Sequence, residues 1–250
     1  MKYKAIVFDI DGTAIPNIKG GKPSNELKEL IKKAQKSFVV SIATGRVYHL
    51  CENLLKELSL KHPCVISGGT QVVDPISGNV LWEKLIEEES LEEILNILKP
   101  YSYEIFFSDD PNGRIASQKL VSKERFINIK YIGSRDSENI MKQLKLLTNI
   151  VAHKVSSWKK GTFDIHITNS KATKDHAIKF VLEKLSLKKE EVIGVGDSDN
   201  DLPIFDSVGF KVAMGNSTKA LKEKADYIGL TVDEDGLVEI ITKKLLNQVL

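Results

Sequence analysis

Two short acidic clusters hold most of the reactive groups in this chain. Asp9-Ile10-Asp11-Gly12-Thr13 follows the apolar run Ala5-Ile6-Val7-Phe8. Two carboxylates two residues apart, directly after a strand, are aimed alike toward its carboxyl end. Open α/β sheets bind their ligands in that crevice. Gly12 lets the chain turn at once, and on this segment alone a plain acidic turn reads equally well. The second cluster, Gly196-Asp197-Ser198-Asp199-Asn200-Asp201, follows the apolar run Val192 to Val195. Where the two loops converge, five carboxylates crowd together, and repulsion raises some of their pKa values sharply. A bound cation removes that conflict, and oxygen donors of this kind suit a hard ion such as Mg²⁺. A calcium loop does not fit, because no Gly follows the third acidic position and no Glu closes the loop. A dinucleotide fingerprint fails too, since Asp199 stands where its third Gly belongs.

Two further segments offer partners for an anion. In Ser41-Ile42-Ala43-Thr44-Gly45-Arg46 a hydroxyl sits at a strand end, before Gly and a helix start. Backbone N–H groups and the helix dipole favour phosphate there, although a helix cap has the same appearance. Lys174 falls near the start of a helix, where a cation is unfavourable by ~0.3–1 kcal/mol. Breaking that local rule points to another purpose, such as neutralising carboxylates or phosphate. His49, Cys51, His62 and Cys64 make a zinc-compatible set. The cysteines, however, lie in a helix and at a strand start, where Cys packs as a small hydrophobe.

These residues need a scaffold that brings distant segments to one edge. Apolar strands are expected at Lys4 to Ile10, Phe38 to Ala43, Cys64 to Ile66 and Val192 to Val195. Helices are expected from Pro23-Ser24, over Val47 to Leu58, over Lys174 to Leu185 and from Leu202 onward. That alternation implies a doubly wound parallel sheet. Between about Leu81 and Thr168 the pattern changes. Strands of mixed polarity are expected at Tyr103 to Phe107, Phe126 to Tyr131, Val151 to Val155 and Phe163 to Thr168. Helices are expected at Leu91 to Leu98 and Ser137 to Leu147. Alternating polarity suits a sheet with one solvated face. The fold class is therefore α/β, a doubly wound core with an inserted α+β module. Residues 1–80 and 171–250 form the discontinuous core and 81–170 the insertion, with linkers at Val80 to Glu83 and Asn169 to Ala172.

Composition limits the partners. The 250 residues carry 36 Lys and Arg against 34 Asp and Glu, a net charge of +2, which gives no general grip on nucleic acid. A chain of this length buries roughly three quarters of its unfolded surface, so it needs no disulfide staples. No apolar run approaches the ~20 residues of a membrane span. With two cysteines and no signal-peptide pattern, a cytoplasmic protein that is a monomer or homodimer is expected.

Taken together, the four segments resemble the haloacid dehalogenase-like hydrolase superfamily, in its Cof-type (subfamily IIB) phosphatase branch with an α/β cap. Asp9 to Thr13, Ala43 to Arg46, Lys174 with Ala177-Ile178, and Gly196 to Asp201 match its four motifs in order. Val212-Ala213-Met214-Gly215-Asn216 and Asp233-Glu234-Asp235-Gly236 resemble downstream stretches of the branch. The resemblance implies hydrolysis of small phosphate esters through an aspartyl-phosphate. It makes Asp9 the nucleophile and Asp11 the general acid and base. It gives Mg²⁺ to Asp9, Asp11 and Asp197, with Asn200 and Asp201 completing or bracing that shell. Thr44, Gly45 and Lys174 hold the phosphoryl oxygens. Arg46 steadies the loop or a neighbouring carboxylate and stands outside the catalytic set.

This sequence also departs from the branch. Ser67-Gly68-Gly69-Thr70 replaces an Asn-Gly-Ala type of turn, Asp175 a frequent Gly, and His166 a frequent Glu. His166 and Asn169 look more like the archaeal-type phosphoglycolate phosphatases, which makes them substrate candidates. Arg114, Lys119, Lys123, Arg125, His153, Lys154, Lys159 and Lys160 are further candidates in the cap. A phosphotransferase or phosphomutase on the same scaffold, a non-catalytic phosphoaspartate receiver and a binding module with a vestigial site are the competing readings.

Overall fold

A computed structural model describes residues 2–18, 20–107, 124–157 and 159–248. Arg114, Lys119 and Lys123 lie outside the described residues. The chain begins with strand β1 (Ala5–Phe8), helix α1 (Asn25–Ala34), β2 (Val39–Ile42) and α2 (Tyr48–Glu57). Three short strands follow, β3 (Cys64–Ile66), β4 (Gln71–Val73) and β5 (Val80–Glu83). The insertion runs through α3 (Glu88–Leu98), β6 (Ile105–Phe107), β7 (Phe126–Ile132), α4 (Ser134–Leu144), β8 (Ile150–Ser156) and β9 (Phe163–Asn169). The chain then returns through α5 (Lys174–Lys184), β10 (Val192–Gly196), α6 (Leu202–Asp206) and β11 (Phe210–Ala213). It ends with α7 (Lys219–Glu223), β12 (Tyr227–Ile228) and α8 (Gly236–Ile240).

Contacts divide the chain into two compact units, residues 1–82 with 174–250, and residues 83–173. The first unit is built on a five-stranded sheet of order β12-β11-β10-β1-β2, with every pair parallel. Its central strands are apolar throughout because helices cover both faces. Ile6 and Phe8 join one buried cluster with Leu27 and Ile31 of α1, while Ala5 and Val7 join another with Ile178 and Val181 of α5. Ser24 caps α1, its side chain accepting from the Leu27 N–H at 3.0 Å. Val80–Glu83, expected as a linker, holds the boundary between the two units, after Trp82, and also forms the third strand of a small sheet of order β3-β4-β5. Its side chains are exposed or half-buried, so hydrophobic patterning gave little sign of it.

The second unit is a four-stranded antiparallel sheet of order β6-β7-β9-β8. Its core sets Ile105, Ile127, Ile129, Ile165 and Ile167 against Leu91, Ile94 and Leu98 of α3 and Ile140 and Leu144 of α4. Helix α4 starts three residues before the expected Ser137. Ser137 is buried within it and donates to the Ser134 carbonyl at 2.7 Å, so a residue expected to open the helix lies inside its first turn. No helix among the described residues is long and apolar enough to cross a membrane.

Candidate active site

The parallel register brings the sequence clusters together. Phe8 pairs with Val195 on one side and Ile42 on the other. The Asp9 N–H donates to the Val195 carbonyl at 3.1 Å, and the Ala43 N–H donates to the Phe8 carbonyl at 2.9 Å. Asp9, Gly196-Asp197 and Ala43-Thr44 therefore leave the sheet side by side at its carboxyl edge. Strand β2 follows β1 to one side, and β10, β11 and β12 extend to the other, so this is a topological switch point.

Oxygens of Asp9, Asp197 and Asp201 all lie within 4.8 Å of one another. Lys174, 4% exposed, donates to Asp9 at 2.9 Å and to Asp201 at 2.7 Å. Burial alone would push its ammonium down, but the two carboxylates override that and raise it. This cation at a helix start is thus held by opposite charges from two other segments. Asp201, fully buried, accepts from the Asp197 and Ser198 N–H groups with its other oxygen, at 3.0 and 3.2 Å. Burial raises Asp9 to about 6, opposed by Lys174 and reinforced by Asp201 and Asp11. Burial raises Asp197 to about 7, reinforced by Asp201 and Asp9. One ammonium does not neutralise three carboxylates, so neighbouring negative charge adds to burial in raising both values. An all-oxygen set with surplus charge fits a hard divalent cation.

Asp11 points elsewhere. Its carboxylate is gripped by Arg46, from Nε to Oδ2 at 2.8 Å and from Nη2 to Oδ1 at 2.5 Å. A two-point guanidinium grip of this kind is stronger than a single neutral hydrogen bond. Arg46, expected from sequence to steady the loop or a neighbouring carboxylate, holds that of Asp11. Thr44 is fully buried, its hydroxyl accepting from the Arg46 N–H at 3.1 Å, while Gly45 is exposed beside it. The Ser67-Gly68-Gly69-Thr70 turn is laced to the same loop. The Ser67 N–H donates to the Arg46 carbonyl at 2.8 Å and the Gly68 N–H to the Thr44 carbonyl at 3.0 Å.

Close approach explains two glycines. Gly12 has φ of +84°, and a Cβ there would collide with the Asp197 carboxylate. A Cβ on Gly196 would lie 2.5 Å from that of Asp201. The Asn216 amide donates to the Gly12 carbonyl at 2.8 Å and accepts from the Val232 N–H at 2.9 Å, clamping the first acidic loop. Ser217 donates to the Gly196 carbonyl at 3.0 Å, and Thr218 donates to Asp199 at 2.6 Å. Asn216 lies in a stretch singled out from sequence, but neither its contact nor those of Ser217 and Thr218 was foreseen. Asn200 is exposed, and its side-chain oxygen accepts from the Ser198 hydroxyl at 2.8 Å.

The zinc-compatible set is not assembled. Cys51 and Cys64 are fully buried and free, and burial pushes the Cys51 thiol up to about 12. His62 Nδ1 accepts from the Val40 N–H at 3.3 Å, so these residues are core and structural.

In the second unit His166 is exposed on β9. Desolvation lowers its pKa, opposed by Asp164 and aided by His153 and Lys130. Asn169 is buried, its amide donating to the Leu85 carbonyl at 2.9 Å and accepting from the Lys171 N–H at 2.8 Å. With both ends engaged by backbone, it braces the end of β9. Arg125 pairs with Glu83 at 3.6 Å, and Lys154 lies 4.5 Å from the centroid of the Phe163 ring. Lys159 and Lys160 are exposed.

Relatives match this chain along most of their length. A phosphoglycolate phosphatase of Methanosarcina acetivorans is 28% identical over 247 residues, covering 96% of each chain. A 5-amino-6-(5-phospho-D-ribitylamino)uracil phosphatase of Bacillus subtilis is 27% identical over 249 residues, 95% of this chain and 94% of that one. The solved structure of a haloacid dehalogenase-like hydrolase from Bacteroides thetaiotaomicron has the same fold. Its TM-score is 0.80 at 24% identity, covering 97% of this chain and 99% of that one. The model of the haloacid dehalogenase-like hydrolases matches residues 6–132 and 114–241. Sequence, sheet topology and converging acidic loops agree: the chain belongs to the haloacid dehalogenase-like hydrolases, in their Cof-type branch.

Proposed function

We propose that this hydrolase is a Mg²⁺-dependent phosphatase of small phosphorylated metabolites, sugar phosphates or phosphoglycolate-like acids. The supporting observation is the position of Asp9. It is held at the carboxyl end of β1 by Lys174, within reach of Asp197 and Asp201, while Asp11 stands apart. An Asp9 oxygen attacks phosphorus as the ester P–O bond breaks, giving an aspartyl-phosphate. The Asp11 carboxyl gives its proton to the departing oxygen. Water then attacks phosphorus, Asp11 takes the water's proton, and the bond to Asp9 breaks to release phosphate. General acid and base help of this kind is worth ~10²–10⁴ in rate.

Arg46 matters to both halves. Its two N–H donors hold the Asp11 carboxylate, so Asp11 must leave them to reach the departing oxygen. Lys174, Thr44 and the exposed Gly45 N–H stabilise charge on the phosphoryl oxygens. Asp9, Asp197 and the Asp11 carbonyl would hold Mg²⁺, with Asp201 and Asn200 bracing or completing the shell. When bound, the ion offsets the carboxylate charge that would otherwise repel an anionic substrate. The inserted unit acts as the cap, supplying contacts to the organic part of the ester, with His166 the leading candidate. The relatives named for phosphoglycolate and for a phosphoribitylamino-uracil set the range of esters to try.

The test is phosphate release from a panel of esters, with Mg²⁺ and with chelator, beside Asp9→Asn. Metal-dependent release that Asp9→Asn abolishes supports the reading. Release only when a sugar acceptor is added turns it into a phosphotransferase. A stable acyl-phosphate without turnover turns it into a receiver.

A further inference from the structure

The stretches Val212 to Asn216 and Asp233 to Gly236 supply no group to the proposed reaction, yet they meet beside it. The Gly215 N–H donates to the Leu230 carbonyl at 2.8 Å, and the Gly236 N–H donates to the Thr231 carbonyl at 2.9 Å. Between those contacts the Val232 N–H donates to the Asn216 side-chain oxygen at 2.9 Å, which fixes the orientation of the amide. From this base the chain between β11 and α7 reaches both acidic loops. The Asn216 amide donates to the Gly12 carbonyl at 2.8 Å. Ser217, 8% exposed, donates to the Gly196 carbonyl at 3.0 Å, which also accepts from the Met214 N–H at 3.0 Å. The Thr218 N–H donates to the Asp197 carbonyl at 2.9 Å.

These contacts fall on the least constrained points of the site. Gly12 and Gly196 are required because a Cβ on either collides with a neighbouring carboxylate. Glycine also leaves the backbone free to rotate, so the same residues put a swivel in each loop. Without a cation, Asp9, Asp197 and Asp201, with oxygens within 4.8 Å of one another, push the two loops apart. Asn216 pins the carbonyl of one swivel and Ser217 that of the other. Because the two pins are consecutive residues, they fix the separation of the loops. Fixed separation matters unequally to hard cations. Mg²⁺ demands near-ideal octahedral geometry at about 2.0–2.1 Å, whereas Ca²⁺ accepts flexible geometry at about 2.3–2.6 Å.

We infer that Asn216 and Ser217 are positioning residues that hold the Asp9 and Asp197 loops at the spacing of Mg²⁺ and thereby select it over Ca²⁺. The inference deepens the reading of a Mg²⁺-dependent phosphatase and rests on it for the metal.

The experiment titrates Mg²⁺ or Ca²⁺ alone into the metal-free protein by calorimetry, beside a phosphate assay. In Asn216→Ala and Ser217→Ala the Kd for Mg²⁺ should rise at least fivefold and that for Ca²⁺ less than twofold. At saturating Mg²⁺, kcat should stay within about twofold of wild type. Asn216→Asp keeps the acceptor for Val232 but sets an anionic oxygen against the Gly12 carbonyl. Added charge by itself tightens both cations, whereas lost positioning weakens Mg²⁺, and weakening is expected. Asn216 is exposed, so its two variants decide the matter if Ser217→Ala does not fold. Lys219→Ala on exposed α7 leaves both Kd values unchanged. A Mg²⁺ Kd within twofold of wild type in the Asn216 variants, equal weakening of both cations, or a wild-type protein that binds neither overturns the inference. Loss of Mg²⁺ preference in the variants of a protein that releases no phosphate upholds the positioning role and defeats the phosphatase reading instead.

Discussion

Lys174→Met separates the charge balance of the site from its packing. The ammonium is buried between Asp9, 5% exposed, and Asp201, fully buried, at 2.9 and 2.7 Å. At an effective dielectric near 20, each contact is worth about 6 kcal/mol of Coulomb energy before desolvation. Returning a buried ammonium to water offsets several kcal/mol of that, and losing one partner of a buried pair typically costs about 3–5 kcal/mol net. Methionine keeps most of the volume, so little of the effect is a cavity. At roughly 2–4 °C per kcal/mol for a domain of this size, the metal-free variant melts about 6–20 °C below wild type. A saturating divalent cation supplies the missing charge, so Mg²⁺ should raise the Tm of the variant more than that of wild type. Phosphate release should stay low even then, by ~10²–10³, because the group proposed to stabilise charge on phosphoryl oxygen is gone. Differential scanning fluorimetry with and without Mg²⁺, beside a phosphate assay, reads all three effects. A metal-free Tm within 2 °C of wild type would refute the claim that Lys174 holds the acidic cluster together.

Two other perturbations follow from the same cluster. Gly12→Ala combines a φ of +84° with a collision against the Asp197 carboxylate, so it should weaken Mg²⁺ activation at least tenfold, read as the half-saturating Mg²⁺ concentration for phosphate release. Asp197 sits near 7 when folded against an ordinary 3.8, so the native state holds its proton more tightly than the unfolded chain does. The stability from that proton is complete below pH 4 and disappears as pH rises through 7. Metal-free Asp197→Asn should therefore match wild type near pH 3 and exceed it by on the order of 1–3 kcal/mol at pH 7.5, measured by urea unfolding in chelator.

The strands of the core and the two acidic loops were readable because buried parallel strands are apolar without interruption. Such a strand ends abruptly where polar residues begin, and Phe8-Asp9 and Gly196-Asp197 mark those edges. Other elements gave weaker signals. Strand β5 has no buried face, and β12 is two residues long, so neither carries a period to count. Strand β11 has two half-buried positions followed by two buried ones, so its four residues show no alternation. Helix α4 was misplaced by three residues because a serine suited to capping is spent inside its first turn.

Within the site, the legible residues were those whose type conflicts with their local setting: paired carboxylates at a turn, and a lysine at a helix start. The residues missed, or left without a partner, have no local conflict. Arg46 looks like any loop arginine until the fold brings it to Asp11, 35 positions away, and Asn216 like any turn asparagine until it reaches Gly12, 204 positions away. Periodicity and propensity report on neighbours in the chain, whereas these contacts depend on strand order across the sheet. The same distinction applies to the inserted unit. Asn169, picked out from sequence, spends its amide on nearby backbone, whereas Asn128, which no motif marked, keeps a buried oxygen without a donor among the described residues.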